Sequence, residues 1–370
     1  MNNPDVKRMT FGQLLERLQQ KDPAGLSYDP ALVENEIAKN EKREYPVAVR
    51  VLIVLGAWIG AAMLAAFLTF FVFGKDEPTL VVAGVIFILA GLLLPRLNVL
   101  PVAIEPFALA ISVIGISLLM GGMDYDIDDN YAPHNLIIAL IEIAIAVFTV
   151  SRVQRTVGVF GFFGFLGIYF YQNLESPHAV MALAGVCMLL FTWMQVSETR
   201  MLAKGKKLIR YYQPVLSGLM LSIPVLCLYT LIKEPEGHES WHPDSTGFTG
   251  WWPVALPAIA ALLWTLRVIL VKTCGFQKAR VNALLLFALL CLAPMVKAPG
   301  IVASILLIAC GFYSGQRFTL GIGILSLIYY CITFYYMMET TLLVKSVLMM
   351  VSGALLVAAA LVFNYLNKRS

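Results

Sequence analysis

The chain is 370 residues long, 59% hydrophobic and only 14% charged, with a mean hydropathy of +0.78. A soluble chain of that size needs far more polar surface around its cores, so a water-soluble globular fold is excluded. The net charge of +4 is spread over separate loops, with no basic cluster interleaved with aromatics, which excludes a nucleic-acid groove.

Apolar residues instead come in blocks of about 15 to 25, the length at which a helix rising about 1.5 Å per residue crosses a hydrocarbon layer about 30 Å thick. Runs such as VVAGVIFILAGLLL (residues 81–94) do not alternate, as the strands of a membrane barrel must. The chain therefore reads as all-α: a polytopic transmembrane helical bundle of about twelve spans, behind a short amphipathic cap.

Residues 1–46 are that cap. TFGQLLERL sets Phe11, Leu14, Leu15 and Leu18 on one helical stripe, with Thr10 and Gln13 at capping-box spacing. Asp29 and Pro30 read as the N-cap and first residue of a second short helix. Two amphipathic helices are expected, serving as a solubilising, topology-setting leader or lying on the membrane surface. The first apolar run starts only near Pro46 and is too long for the core of a cleaved signal, so it is expected to stay as a signal anchor. Residues 47–370 then form the transmembrane domain.

The spans are read as 47–73, 78–94, 99–120, 135–150, 157–171, 177–196, 214–232, 251–271, 281–295, 299–312, 318–337 and 341–363. Pro294, Lys297 and Pro299 divide the stretch 281–315, which is either two short crossings or one re-entrant hairpin, giving twelve spans or ten. With the N-terminus inside, 23 of the 27 Lys and Arg fall on the cytoplasmic side and only Lys75, Lys233, Lys297 and Lys345 outside. The acidic loops MDYDIDDNY and KEPEGHESWHPD also fall outside. Both termini are therefore expected in the cytoplasm.

Small residues mark close helix packing. Gly56 and Gly60 stand four apart in the first span, and Gly311 and Gly315 repeat that spacing. In VGVFGFFGFLG, Gly158, Gly161, Gly164 and Gly167 stand three apart, so they wind slowly around the fifth span and let neighbours approach. Pro106 disfavours helix at the residue before it, so the third span is expected to begin near Phe107, with Glu105 at the cytoplasmic interface.

Two charges are harder to place at the surface. Glu142 sits seven residues past Asn135 in an uninterrupted apolar helix, about 10 Å into the layer, where a carboxylate must be protonated, paired or beside water. Lys345 lies about 7 Å in from the same side. It either snorkels to the interface or forms a buried ion pair with Glu142, with Ser346 able to hydrogen-bond nearby.

Chemistry-bearing motifs are few. In GHESWHPD, His238 and His242 have metal-ligand spacing only on a helix, and Gly237 and Pro243 oppose one. The segment reads as an interfacial loop beside the belt residues Trp251 and Trp252. Six cysteines (187, 227, 274, 291, 310 and 331) include no Cys-x-x-Cys and imply neither a disulfide framework nor a zinc site. No metal, cofactor or catalytic residue is expected: His238, Glu239 and His242 spell H-E-x-x-H, but Gly237 and Pro243 oppose the helix that pattern needs, and no G-x-S-x-G appears.

The two ends of the chain carry a resemblance. YYMMETTLLVKSVLMMVSGALLV (335–357) resembles the closing signature of an uncharacterised bacterial multi-pass membrane family, a domain of unknown function, in which a Tyr cluster precedes TLLxKS. The start, an L..L..RL leader before YPVAVRVLIVLGAWIGAAMLAAFL, is similar to that family's first span. By position, Tyr335, Tyr336, Thr341, Lys345 and Ser346 carry the signature. The resemblance implies a protein of the bacterial inner membrane and, as partner, a small membrane-anchored protein with a GDYxxLxY motif. It implies no activity.

The reading favoured by the sequence is a non-enzymatic membrane component assembling with that partner. The alternative is a secondary transporter for a small solute, proton-coupled in one form, since twelve spans and a basic middle loop suit two six-helix halves. Against it, the loop after the second span, LPRLN, lacks the Gly-Asp-Arg type charges that plan expects.

Overall fold

The computed structural model describes residues 46–68, 77–97, 101–123, 132–173, 177–198, 201, 206–229, 252–272, 278–292, 298–337 and 350. Eleven α-helices run through them: α1 (Val47–Leu68), α2 (Glu77–Leu93), α3 (Pro101–Gly122), α4 (Ala132–Phe148), α5 (Arg152–Asn173), α6 (Pro177–Val196), α7 (Lys206–Tyr229), α8 (Trp252–Lys272), α9 (Lys278–Leu292), α10 (Pro299–Ser314) and α11 (Arg317–Met337). A 3₁₀ turn (Leu94–Leu97) extends α2. There is no strand among the described residues. The helices fall on the first eleven apolar segments. The twelfth segment and the amphipathic cap lie outside the described residues. By compactness the chain divides at Gly56, inside α1, and of the first unit the described part is 46–56.

Among the described residues seven helices are long and apolar enough to cross a membrane: α1, α2 with its 3₁₀ extension, α3, α5, α6, α7 and α8. α4, α10 and α11 are apolar but shorter, and α9 has 15 residues. Large apolar side chains point outward, among them Phe312 (80% exposed) and Leu325 (70%). Water would not tolerate so much exposed grease, whereas lipid tails match it. This is an integral membrane protein.

Helix starts follow proline chemistry. α3, α6 and α10 each begin on proline, whose missing N–H is free of cost in a first turn. The third helix begins at Pro101, five residues before Pro106, and not near Phe107 as the sequence suggested. Pro106 lies in the second turn, where the helix loses only one backbone bond, and Glu105 beside it is exposed. Gly315 ends α10 in the left-handed region (φ 68°), so that α11 turns back after Gln316 alone.

Glycines set the helix pairs. A Cβ at Gly84 would stand 2.8 Å from the Gly115 carbonyl oxygen, and one at Gly115 2.9 Å from that of Gly84, so α2 and α3 touch backbone to backbone. α10 and α11 meet the same way, through Gly311 against Leu320 and Gly323 against Ile308. Gly185 of α6 receives the ring of Pro257 from α8, and Gly218 of α7 receives Val159 from α5. The largest apolar core lies between α6, α7, α8 and α10, around Met181, Met188, Met220, Leu262 and Leu306. Tyr330 of α11 joins it and donates its hydroxyl to the Pro224 carbonyl of α7.

Candidate functional site

α4 carries buried polar residues at a seven-residue interval. Asn135 (0% exposed), Glu142 (5%) and Thr149 (1%), just past the helix end, lie on the face turned to α5. Seven residues are nearly two turns, so one helix stripe holds all three. Between them that stripe is apolar, with Ile138, Ala139, Ile145 and Ala146 all buried. The partner surface is the glycine row of α5. A Cβ at Gly158 would stand 2.8 Å from the Glu142 carbonyl oxygen and 3.1 Å from the Ala146 Cβ. One at Gly161 would stand 2.7 Å from both Cδ and Oε1 of Glu142. At Gly158 the obstacle is backbone, so glycine is required for this approach, whereas at Gly161 it is the end of the Glu142 side chain, which glycine lets lie against α5.

Polar contacts pin this seam at both ends. At one, the Asn135 amide donates to Gln172 Oε1 near the end of α5. At the other, Arg155 is 1% exposed, the largest side chain to be so fully enclosed among the described residues. Its Nε donates to the Ala146 carbonyl at 2.9 Å, Nη2 to the Thr149 carbonyl at 2.5 Å and Nη1 to the Arg210 carbonyl of α7 at 2.9 Å. The face of Tyr211 covers the guanidinium, 4.2 Å from ring centre to Cζ. α4 ends at Phe148 and leaves its last carbonyls without helical partners. Arg155 takes that of Ala146, the Thr149 N–H takes that of Ile145, and the Tyr211 hydroxyl reaches that of Val147 at 3.4 Å. The positive group thus stands where the helix dipole is negative, held by charge-assisted bonds each worth about 1.5–3 kcal/mol.

The neighbouring Gln154 (1% exposed) ties a second pair of helices to the seam. Its Oε1 accepts from the Thr149 hydroxyl at 2.6 Å, while Nε2 donates to Ser112 Oγ of α3 at 2.6 Å and to the Gly91 carbonyl of α2 at 3.3 Å. Ser151 caps α5 in a Ser-x-x-Gln pattern, with the Gln154 N–H 3.5 Å from Ser151 Oγ. The Gln154 side chain does not close that box because it is engaged between α2, α3 and α4.

Glu142 is different. Among the described residues its carboxyl has no hydrogen-bond or ion-pair partner, whereas Asn135, Thr149, Gln154 and Arg155 at the two ends of the seam are all engaged. Beyond Gly161 the glycine row loosens. A Cβ at Gly164 would meet nothing within 4 Å, and one at Gly167 would meet Leu226 of α7 and, farther off, Val180 of α6. The row therefore turns from α4 to α6 and α7 as it climbs.

The other residues singled out by the sequence lie elsewhere. Gly56 and Gly60 are exposed, with Phe107 4.0 Å from a Cβ at Gly60. Tyr336 is 78% exposed at the end of α11 and meets the half-buried Tyr335 edge to face, with ring centres 5.7 Å apart. Lys345, Thr341, Ser346 and the His238–His242 loop lie outside the described residues. Cys187, Cys227 and Cys310 are buried thiols and Cys331 is exposed. Among the described residues no three His, Cys, Asp or Glu side chains gather as metal ligands do. Arg155 and Gln154 were missed, Arg155 having been read as a loop cation. The signal was present in the spacing: Arg155 stands three residues before Gly158, as each glycine of the row stands three before the next.

No curated protein and no solved structure matches the chain. A family model described as Domain of unknown function (DUF4401) matches residues 46–366, from the first apolar segment to the end of the last. The chain belongs to the DUF4401 family.

Proposed function

We propose that this protein is a proton-coupled carrier of a small solute in the bacterial inner membrane, and that Glu142 is the group that takes up and releases the proton. The observation that carries this reading is a buried carboxyl group held between α4 and Gly161 of α5, with no hydrogen-bond or ion-pair partner among the described residues. Carboxyl groups inside a membrane bundle are costly and mark proton or ion paths more often than they serve packing. Packing would be better served by leucine. In this reading the chain crosses the membrane about twelve times with both termini in the cytoplasm, as the partition of basic residues favours. Lys345, at similar depth from the same side, holds the carboxylate when the proton has left. The test is a flux assay in proteoliposomes with an imposed proton gradient and a panel of small solutes. Wild type moves protons with one class of solute, and Glu142→Gln does not. Equal flux in the variant overturns the reading.

A second reading rests on Tyr336, whose 78% exposure leaves a large amphipathic ring free at the end of α11. There a small membrane-anchored protein with a GDYxxLxY motif docks, and the chain acts as a non-enzymatic component of that assembly. A photo-crosslinker at position 336 in native membranes then captures a protein bearing that motif. Capture of lipid alone contradicts it.

A further inference from the structure

A cavity of about 370 Å³ opens between α6, α7 and the turn that joins α10 to α11, at the end of the bundle that holds Arg155 and Arg210. It shares no residue with the Glu142 seam. Its apolar wall comes from Phe191, Leu216, Met220 and Phe318, and its polar side from Gln213, Ser217, Gln316 and Arg317. Among the described residues no acidic side chain lines it. Arg317, Gln213 and Ser217 have no hydrogen-bond or ion-pair partner among the described residues, so their donors are uncommitted. Gln316 accepts the Thr319 hydroxyl at 3.1 Å through Oε1, which leaves its amide N–H groups to point elsewhere.

Behind the wall there is more unused hydrogen-bonding capacity. Gln195 is 2% exposed and neither its Oε1 nor its Nε2 has a partner among the described residues; the Thr192 hydroxyl, at 0% exposure, has none either. Gln195 follows Phe191 by four residues and so shares the face of α6 that Phe191 turns to the cavity. Buried amide groups left unpaired cost about 1–3 kcal/mol each, and such groups in a native bundle call for a ligand or bound water.

We propose that this cavity binds an oxyanion, phosphate or carboxylate, carried on a short apolar body. The guanidinium of Arg317 and the amide and hydroxyl donors of Gln213, Ser217 and Gln316 receive the oxyanion, since every free polar group on that side can donate. Phe191, Leu216, Met220 and Phe318 receive the apolar part, and the volume suits a small molecule or a lipid headgroup with its first methylenes.

The test uses the purified full chain in dodecyl maltoside, with thermal unfolding followed against hexyl phosphate and against hexanol as the uncharged control. Hexyl phosphate raises the unfolding temperature and hexanol does not. Arg317→Gln weakens the apparent affinity at least about tenfold, the loss expected for a charge-assisted contact. Arg317 and Gln213 are both exposed, so Gln213→Ala serves as a second, independent variant and weakens it several-fold. Nanodiscs then separate the sources of the anion. If phosphatidylglycerol discs abolish the response that phosphatidylcholine discs preserve, the occupant is a lipid headgroup; a response in both identifies a soluble anion. Stabilisation that hexanol reproduces, that neither variant diminishes, or that is absent in both detergent and phosphatidylcholine overturns the proposal.

Discussion

The carboxyl group of Glu142 lies directly over the backbone of Gly161, so close that a single methyl group on the glycine would stand 2.7 Å from Cδ and Oε1. A glycine row and a buried acid, separate features in the sequence, are two halves of one contact. Gly161→Ala should therefore push the Glu142 side chain off its rotamer at a cost of about 0.5–1.5 kcal/mol, since the atoms it meets are the end of a flexible chain. Gly164→Ala, with nothing within 4 Å of its Cβ, should be neutral or gain up to about 1 kcal/mol of helix propensity. Thermal unfolding in detergent reads both. The pair also couples: in a Glu142→Ala background the cost of Gly161→Ala should fall, since the clashing atoms are gone.

Arg155 is expected to be the most sensitive single position in the fold. Arg155→Ala strands the carbonyls of Ala146, Thr149 and Arg210 and should cost at least about 3 kcal/mol. Arg155→Lys restores charge but not the fork that serves α4 and α7 together, so it should recover only part of the loss. Proteolysis and unfolding temperature in detergent check both variants. Full stability of Arg155→Lys would mean that charge alone suffices.

Gln154→Leu should loosen α2 and α3 from the seam. It removes the acceptor of Thr149 and the donor to Ser112 and Gly91, at a cost of about 2–3 kcal/mol. Cysteine pairs placed across α3 and α5 should then crosslink less efficiently than in the parent, while pairs across α4 and α5 should be unaffected.

How much of this was legible beforehand varies with the physics. Helices were easy to read, because apolar blocks of span length admit few other structures in lipid. The burial of Glu142 was also readable, since its depth follows from helix rise alone. The start of α3 was not. Pro106 argues locally for a boundary, yet a proline in a second turn loses only one bond, and the helix runs through it from Pro101. Arg155 and Gln154 hid for another reason. Topology counting treats every basic residue near a span as solvated, whereas this guanidinium caps α4 across a three-residue link. Gly84 and Gly91 share one stripe of α2, seven residues apart, but what that stripe meets, Gly115 and Ser112 of α3, only the fold brings together.

Lys345 carries the remaining expectation for the seam. If it is the counter-charge of Glu142, Lys345→Met or Glu142→Leu alone should cost about 3–5 kcal/mol, because the other charge is stranded. The double variant should recover most of that loss in unfolding temperature while remaining unable to couple solute to protons. Additive losses would show that the two residues act independently.

The central claim is that Glu142 exchanges a proton inside the membrane bundle. Infrared difference spectroscopy of the reconstituted protein across a pH step observes that event directly, through the C=O stretch of a protonated carboxylic acid. Wild type should show a band that appears as pH falls and vanishes as it rises, and Glu142→Gln should lack it with the rest of the spectrum preserved. Identical difference spectra for wild type and Glu142→Gln would contradict the account.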